Sequence, residues 1–229
     1  MSWIEDASRT SSILWFNGPA GSGNTAIAQS LCKLCVATQW LAGSFFFSWY
    51  AHGRSNAEFL FPTISFGLSY AIPDVGRIIN SVVAHDPYIP TKALEIQLQK
   101  LILEPLQQVK EESKEPIVII IYGLDECEGE DMQSNVLRLL CSVIQSPFVG
   151  GCGRICFIIT SRPEPWIHDE FTIEPLSSIT RQIFLDQTFE ANDDIRTFFR
   201  LGFTEIHDSP KHRLMMSNVE KPIAFLITS

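Results

Sequence analysis

Five consecutive β-branched residues, Ile117-Val118-Ile119-Ile120-Ile121, constrain the fold more than any other stretch of the chain. A strand built from them has no polar face, so both of its sides must be covered, as in an interior strand of a sheet with helices on either side. Pro116 and Gly123 punctuate its ends.

The remaining pattern alternates in the same sense. Ile13–Phe16 reads as a short buried strand that breaks at Asn17-Gly18, and a helical pattern follows from Gly23 to about Thr38. Gly43–Ser48, with Phe45, Phe46 and Phe47 in a row, reads as a second strand. From Asn56 to Val109 the periodicity is helical, interrupted at Pro62, at Pro73 and at the turn Pro87–Pro90. Its cleanest piece is Lys92–Val109, where Leu94, Leu98, Leu101 and Ile102 share a face and Pro105 is placed to bend the helix. A charged linker, Lys110–Pro116, closes that segment. After the β-branched strand come a helix at about Asp131–Ile144, a glycine-rich loop at Pro147–Gly153 and a strand at Ile155–Thr160. Phe171–Ile173 is read as one more short strand. Buried strands alternating with helices predict a three-layer α/β domain around a mainly parallel sheet. The predicted domain covers residues 1–206, and the tail His207–Ser229 lacks sustained periodicity.

Between the first strand and its helix lies Gly18-Pro19-Ala20-Gly21-Ser22-Gly23-Asn24-Thr25, which has the spacing GxxxxGK[ST] of a phosphate-binding loop, with Asn24 in place of lysine. The glycines allow successive amides to turn inward, and the helix start adds its positive end to the same anion site. Thr25 offers a hydroxyl suited to a magnesium ion. Asparagine is neutral and shorter than lysine, so it brings no point charge to the terminal phosphates. A glycine turn without a ligand is the competing reading.

Open α/β sheets bind ligands beyond the carboxyl ends of their strands, so a partner motif is expected after the β-branched run. There Tyr122-Gly123-Leu124-Asp125-Glu126 supplies two acids, Glu126 to polarise a water and Asp125 to orient magnesium through its water shell. They are equally the residue types that start the next helix. The strand end itself is Tyr122, a phenol that cannot replace a carboxylate as a magnesium anchor. Downstream, Thr160 or Arg162 is placed to sense a terminal phosphate, with a surface ion pair as the plain alternative for Arg162. Pro163 holds the backbone before it extended.

Composition narrows the partners. With 229 residues and 45% hydrophobic content the chain fills one sizeable core. A formal net charge of −9 and the lack of a basic stripe argue against nucleic acid, and Lys211, His212 and Arg213 read as solvated surface. No apolar run approaches the roughly 20 residues that span a bilayer, so no membrane role is expected and the cytoplasm is the expected compartment. Six cysteines in so long a chain read as reduced thiols. Cys32 and Cys35 have CxxC spacing but fall on one helical face, where packing explains them, and Cys152 with Cys156 does not complete a second CxxC.

Taken together and in order, Ile13–Gly23, Ser44–Ser48, Arg54-Ser55-Asn56, Leu60–Ile64, Gly123–Cys127 and Ile159–Pro165 resemble the NACHT class of signal-transducing (STAND) P-loop NTPases, in particular the nephrocystin-like NACHT modules common in fungi. The resemblance spans roughly residues 10–206. It implies a five-stranded parallel sheet flanked by helices, with Ile155–Thr160 lying between Ile13–Phe16 and Ile117–Ile121. It implies ATP or ADP as a ligand that switches conformation, with attached effector and repeat domains under its control. Residue by residue, Gly18, Gly21, Gly23 and Thr25 match the phosphate loop, Asp125 and Glu126 the distal acids, and Arg162 the sensor arginine. Asn24 and Tyr122 depart from the family lysine and its first acid, and both departures fall on magnesium and phosphate handling. Family chains continue into helical, winged-helix and repeat domains, so this one reads as a truncated relative. Three functions follow as expectations: a degenerate nucleotide-binding or interaction module with little hydrolysis, engaging protein partners or its own copies; an active ATPase switch; or a remnant without nucleotide function.

Overall fold

The computed structural model describes residues 2–6, 9–51, 53–109, 115–146 and 155–185. The chain divides into two compact units. One joins residues 1–7 to 187–229, and its described part carries the single-turn helix α1 (Ser2–Glu5). The other, residues 8–186, holds the sheet. The tail 207–229, the basic residues 211–213, the loop 147–153 and most of the linker 110–116 lie outside the described residues.

Five strands form the sheet: β1 (Ile13–Asn17), β2 (Leu41–Phe46), β3 (Ile117–Tyr122), β4 (Ile155–Ser161) and β5 (Thr180–Phe184), in the order β2-β3-β4-β1-β5. Every pairing is parallel. β4 therefore separates β1 from β3, the order expected from the resemblance. The β-branched run is interior and essentially inaccessible along Val118–Ile121, and each side chain buried there contributes about 1.5–3 kcal/mol.

Alternate side chains of each strand go to opposite layers, as the two-residue repeat requires. Ile13, Trp15, Ile119, Ile121, Phe157 and Ile159 join one core with the helices α3 (Leu60–Ala71), α4 (Pro73–His85), α7 (Glu130–Gln145) and α8 (Pro165–Thr172). Leu14, Phe16, Val118, Ile120 and Ile158 are buried on the other side, where α2 (Asn24–Ala37) supplies Ile27, Ala28, Leu31, Leu34 and Cys35. The result is the three-layer α/β arrangement.

Three elements differ from expectation. β2 starts two residues earlier and carries a register irregularity between Leu41 and Gly43. The helix expected over 92–109 is composite: α5 (Leu94–Leu98), a π-helical turn Gln99–Leu103, then α6 (Glu104–Gln108). Pro105 has no N–H for the preceding turn and its ring crowds the carbonyl four residues back, so the chain widens just before it. Phe171, read as part of a strand, lies in α8, which starts at Pro165 and buries Ile167 and Phe171 on one face. Its ring stacks on Trp15 with centroids 4.1 Å apart. The fifth strand is β5 instead.

Cys32 and Cys35 sit on α2 as free thiols, and burial pushes them up to about 11 and about 12. No described helix is long and apolar enough to cross a membrane.

Candidate functional site

Parallel pairing puts the carboxyl ends of β1, β3 and β4 on one edge of the sheet, with Asn17 in register with Ser161 and Ile121 with Ile159. The glycine loop, the acid turn and Arg162 therefore meet at that edge although they are far apart in the chain. Gly18 leaves β1 with its amide bonded to Ser161 O (3.3 Å), and Ser161 Oγ in turn accepts from Trp15 Nε1 (2.9 Å). Gly18 is required for steric reasons, because a Cβ there would lie 2.4 Å from Leu185 O and 2.6 Å from Ser22 Oγ. The rest of the loop turns through Gly21 and Gly23, both at positive φ (85° and 93°), while Pro19 and Ala20 are exposed.

Helix α2 begins at Asn24, and its first intrahelical-type bond runs from Ile27 N to Gly23 O (3.0 Å). The amides of Asn24, Thr25 and Ala26 are thus the orphan donors of the first turn, facing the loop with the positive end of the helix. Asn24 donates from Nδ2 to Gly18 O at 3.3 Å. Its Oδ1 and Ser22 Oγ are buried without a partner. Such atoms cost about 1–3 kcal/mol each, a cost that a ligand in the loop can relieve. Ser22 presents a hydroxyl that can donate, and the Asn24 carboxamide can donate there if it turns over.

The hydroxyls of Thr25 and Tyr122 share a hydrogen bond of 2.7 Å. The Tyr122 ring is braced by Phe46, centroids 5.4 Å apart. Thr25 thus has its hydroxyl committed to the very side chain that replaces the expected strand-end acid. Asp125 is committed too: it accepts from Arg162 N (3.0 Å), and its second oxygen lies 3.2 Å from Arg162 Nε. The carboxylate is 8% exposed and the guanidinium 49%, so the pair is half-shielded and carries no net charge. Glu126 accepts from Trp49 N (3.3 Å), and Thr160 Oγ1 accepts from Gly123 N (3.1 Å).

These contacts test two ligands differently. The loop amides, the glycine cradle and the orphaned Ser22 hydroxyl fit a phosphate. A magnesium ion fits poorly, since Thr25 faces a neutral phenol and Asp125 is engaged by Arg162, so that among the described residues no group of carboxylates is placed to hold it.

The glycine loop, Tyr122, Asp125, Glu126, Thr160 and Arg162 are named by the sequence, whereas the residues that support them are not. Gln133 of α7, buried, donates from Nε2 to Cys127 O (2.6 Å) and Asp125 O (3.2 Å) and accepts from Trp166 Nε1 (2.7 Å). It pins the acid turn. A glutamine on the apolar face of an amphipathic helix was the available signal. Leu185, whose amide donates to Asn17 O (2.6 Å), and the Trp49 amide had none.

A family model described as nephrocystin 3, N-terminal, matches residues 1–162, which takes in the glycine loop, the acid turn and Arg162. No curated protein matches the chain.

Proposed function

The chain belongs to the nephrocystin 3 N-terminal family, and from that premise we propose that it is a NACHT-type nucleotide-binding module which holds the phosphates of ATP or ADP in a neutral, metal-free cradle and hydrolyses neither to a useful extent. The observation that carries this reading is the 2.7 Å bond between Thr25 and Tyr122, made at the first turn of α2, where the first backbone bond is from Ile27 N to Gly23 O. Backbone donors and the end of α2 supply the attraction for phosphate. The missing lysine weakens it by about 1.5–3 kcal/mol, roughly ten- to hundredfold in affinity.

Catalysis suffers more than binding. Phosphoryl transfer rests on charges placed where charge develops, and here the loop has no cation while Arg162 is neutralised by Asp125. Glu126 remains as a base that could orient water, but without a partner charge on the leaving phosphate its contribution is small. Isothermal titration of the full chain with ATP and with ADP, each in magnesium and in EDTA, tests the reading. Weak binding of equal strength in both buffers is expected. Sub-micromolar affinity that collapses in EDTA would overturn it, as would steady ATP turnover above a Gly23→Pro control.

A further inference from the structure

β2 is an edge strand, paired among the described residues with β3 alone. Phe47 N, just past its end, donates to Tyr122 O (3.0 Å). Main-chain groups of a strand alternate between its two sides, so Gly43 and Phe45 also face β3, while the N–H and C=O of Ser44 and Phe46 point outward. Ser48, next in the outward series, donates to Arg54 O (3.0 Å), so the turn after β2 folds back and closes the edge there. At the other end α3 closes it, since a Cβ on Gly67 would lie 2.4 Å from Ala42 O. Between these two stops a short length of edge stays unpaired.

A cavity of about 520 Å³ lies along that length. Phe46 and the half-exposed ring of Phe59 give it apolar walls, and Ser44, Arg54 and Thr63 line it with polar groups. The Thr63 hydroxyl is committed to Phe59 O (2.7 Å), which leaves Arg54 as the charged group of the slot. Arg54 is exposed, and among the described residues no acid is ion-paired with it. It belongs to the segment Arg54-Ser55-Asn56, which the phosphate site does not use.

We propose that this slot receives the carboxyl-terminal end of a partner protein chain, paired in parallel with Ser44 and Phe46 and with its terminal carboxylate on Arg54. Outward main-chain donors and acceptors are satisfied by another extended backbone. The edge is sealed at Ser48, so a strand running through would meet the turn, whereas one that ends there delivers its carboxylate beside the guanidinium. That fork matches a carboxylate in shape and charge. In a chain of net charge −9 a peptide rich in acids is repelled, and a single terminal carboxylate is what one local cation can hold. The inference does not depend on nucleotide.

Selection of the full chain against random hexapeptides displayed with free carboxyl ends, followed by fluorescence anisotropy on the selected peptides, tests it. Dissociation constants of about 100 μM or tighter are expected. Closing the same peptides as C-terminal amides should weaken them at least about 10-fold, and Arg54→Gln should cost the free acids as much, since both remove one charge-assisted contact. The two losses should not add, because they remove the same pair. Ser44→Pro deletes an outward N–H without touching the ladder to β3 and should weaken binding by a similar factor. Thermal melts confirm that the variants are folded, and Arg54→Gln, at an exposed side chain, decides the matter if Ser44→Pro is not. No peptide bound below about 1 mM, amides that bind as well as the acids, or binding indifferent to Arg54→Gln would each overturn the proposal.

Discussion

If the loop holds nucleotide as proposed, Asn24 and Tyr122 meet the same ligand, and repairing both should couple. Asn24→Lys brings a cation to the terminal phosphates, where a charge-assisted bond is worth about 1.5–3 kcal/mol. While Tyr122 holds the Thr25 hydroxyl at 2.7 Å, that gain is indifferent to magnesium. Tyr122→Asp breaks a neutral bond of about 1 kcal/mol, frees Thr25 and introduces a carboxylate, but without a cation in the loop the new anion repels phosphate. In the double variant the carboxylate and Thr25 can share a metal while lysine balances the charge. The expected coupling is about 1–2 kcal/mol in favour of ATP with magnesium, roughly five- to thirtyfold beyond the sum of the single effects. Titration calorimetry on the four proteins, with magnesium and with EDTA, measures it. Tyr122 also packs on Phe46, so melting curves must accompany each titration, and Tyr122→Phe separates loss of the hydroxyl from loss of the ring. If the folded double variant binds ATP no better than the parent, or the two effects simply add, the reasoning fails.

Gly18→Ala should lower stability by about 1–3 kcal/mol, visible in a denaturant melt, because the new methyl meets a backbone oxygen of Leu185 that cannot swing away. Asp125→Asn should cost about 1 kcal/mol or less and the loss should shrink in 1 M salt, since the Arg162 guanidinium is half exposed. Gln133→Leu should destabilise more, by about 2–3 kcal/mol, because it leaves the carbonyls of Cys127 and Asp125 without their donor. Burial raises the Cys35 and Cys127 thiols from 9.0 to about 12. Because the unfolded chain loses those protons first, their stabilisation is complete below pH 9 and falls between 9 and 12, by up to about 1.4 kcal/mol per thiol per pH unit, which urea melts at pH 8 and pH 10 should register.

The interior of the sheet was legible because buried strands announce themselves by composition. Ile117–Ile121 and Ile155–Thr160 have no polar residue to spend on solvent, and their positions were read within a residue. β5 was not legible. Thr180–Phe184 is an edge strand with Arg181, Gln182 and Phe184 exposed, so its sequence carries neither a buried run nor a clean alternation. Its place is fixed by pairing with β1, a contact between residues more than 160 positions apart. Phe171 drew the strand reading because an aromatic beside β-branched residues fits either period over three positions. Only Pro165, which opens a helix whose buried residues Ile167 and Phe171 are four apart, separates the two.

At the site, spacing gave positions and withheld pairings. Asn24 and Tyr122 read as two defects, one of a cation and one of an anion, that fall on the same reaction. The 2.7 Å contact between Thr25 and Tyr122 adds that the phenol reaches the hydroxyl of the residue next to Asn24. A loop that lost lysine yet kept an aspartate at position 122 would present phosphate with an uncompensated negative charge whenever magnesium was absent. A loop that lost the aspartate yet kept lysine would hold nucleotide tightly with no metal to position it. Replacing both leaves the local charge unchanged and lets the phenol satisfy the hydroxyl that a metal would otherwise have bound. Asp125 fits the same reading, for its carboxylate is balanced by Arg162 rather than left bare in a crevice of an already acidic protein. On the proposed reading, the groups that would serve an ion each have a protein partner, Thr25 in Tyr122, Asp125 in Arg162 and Glu126 in the Trp49 amide, which favours a site that takes phosphate without metal.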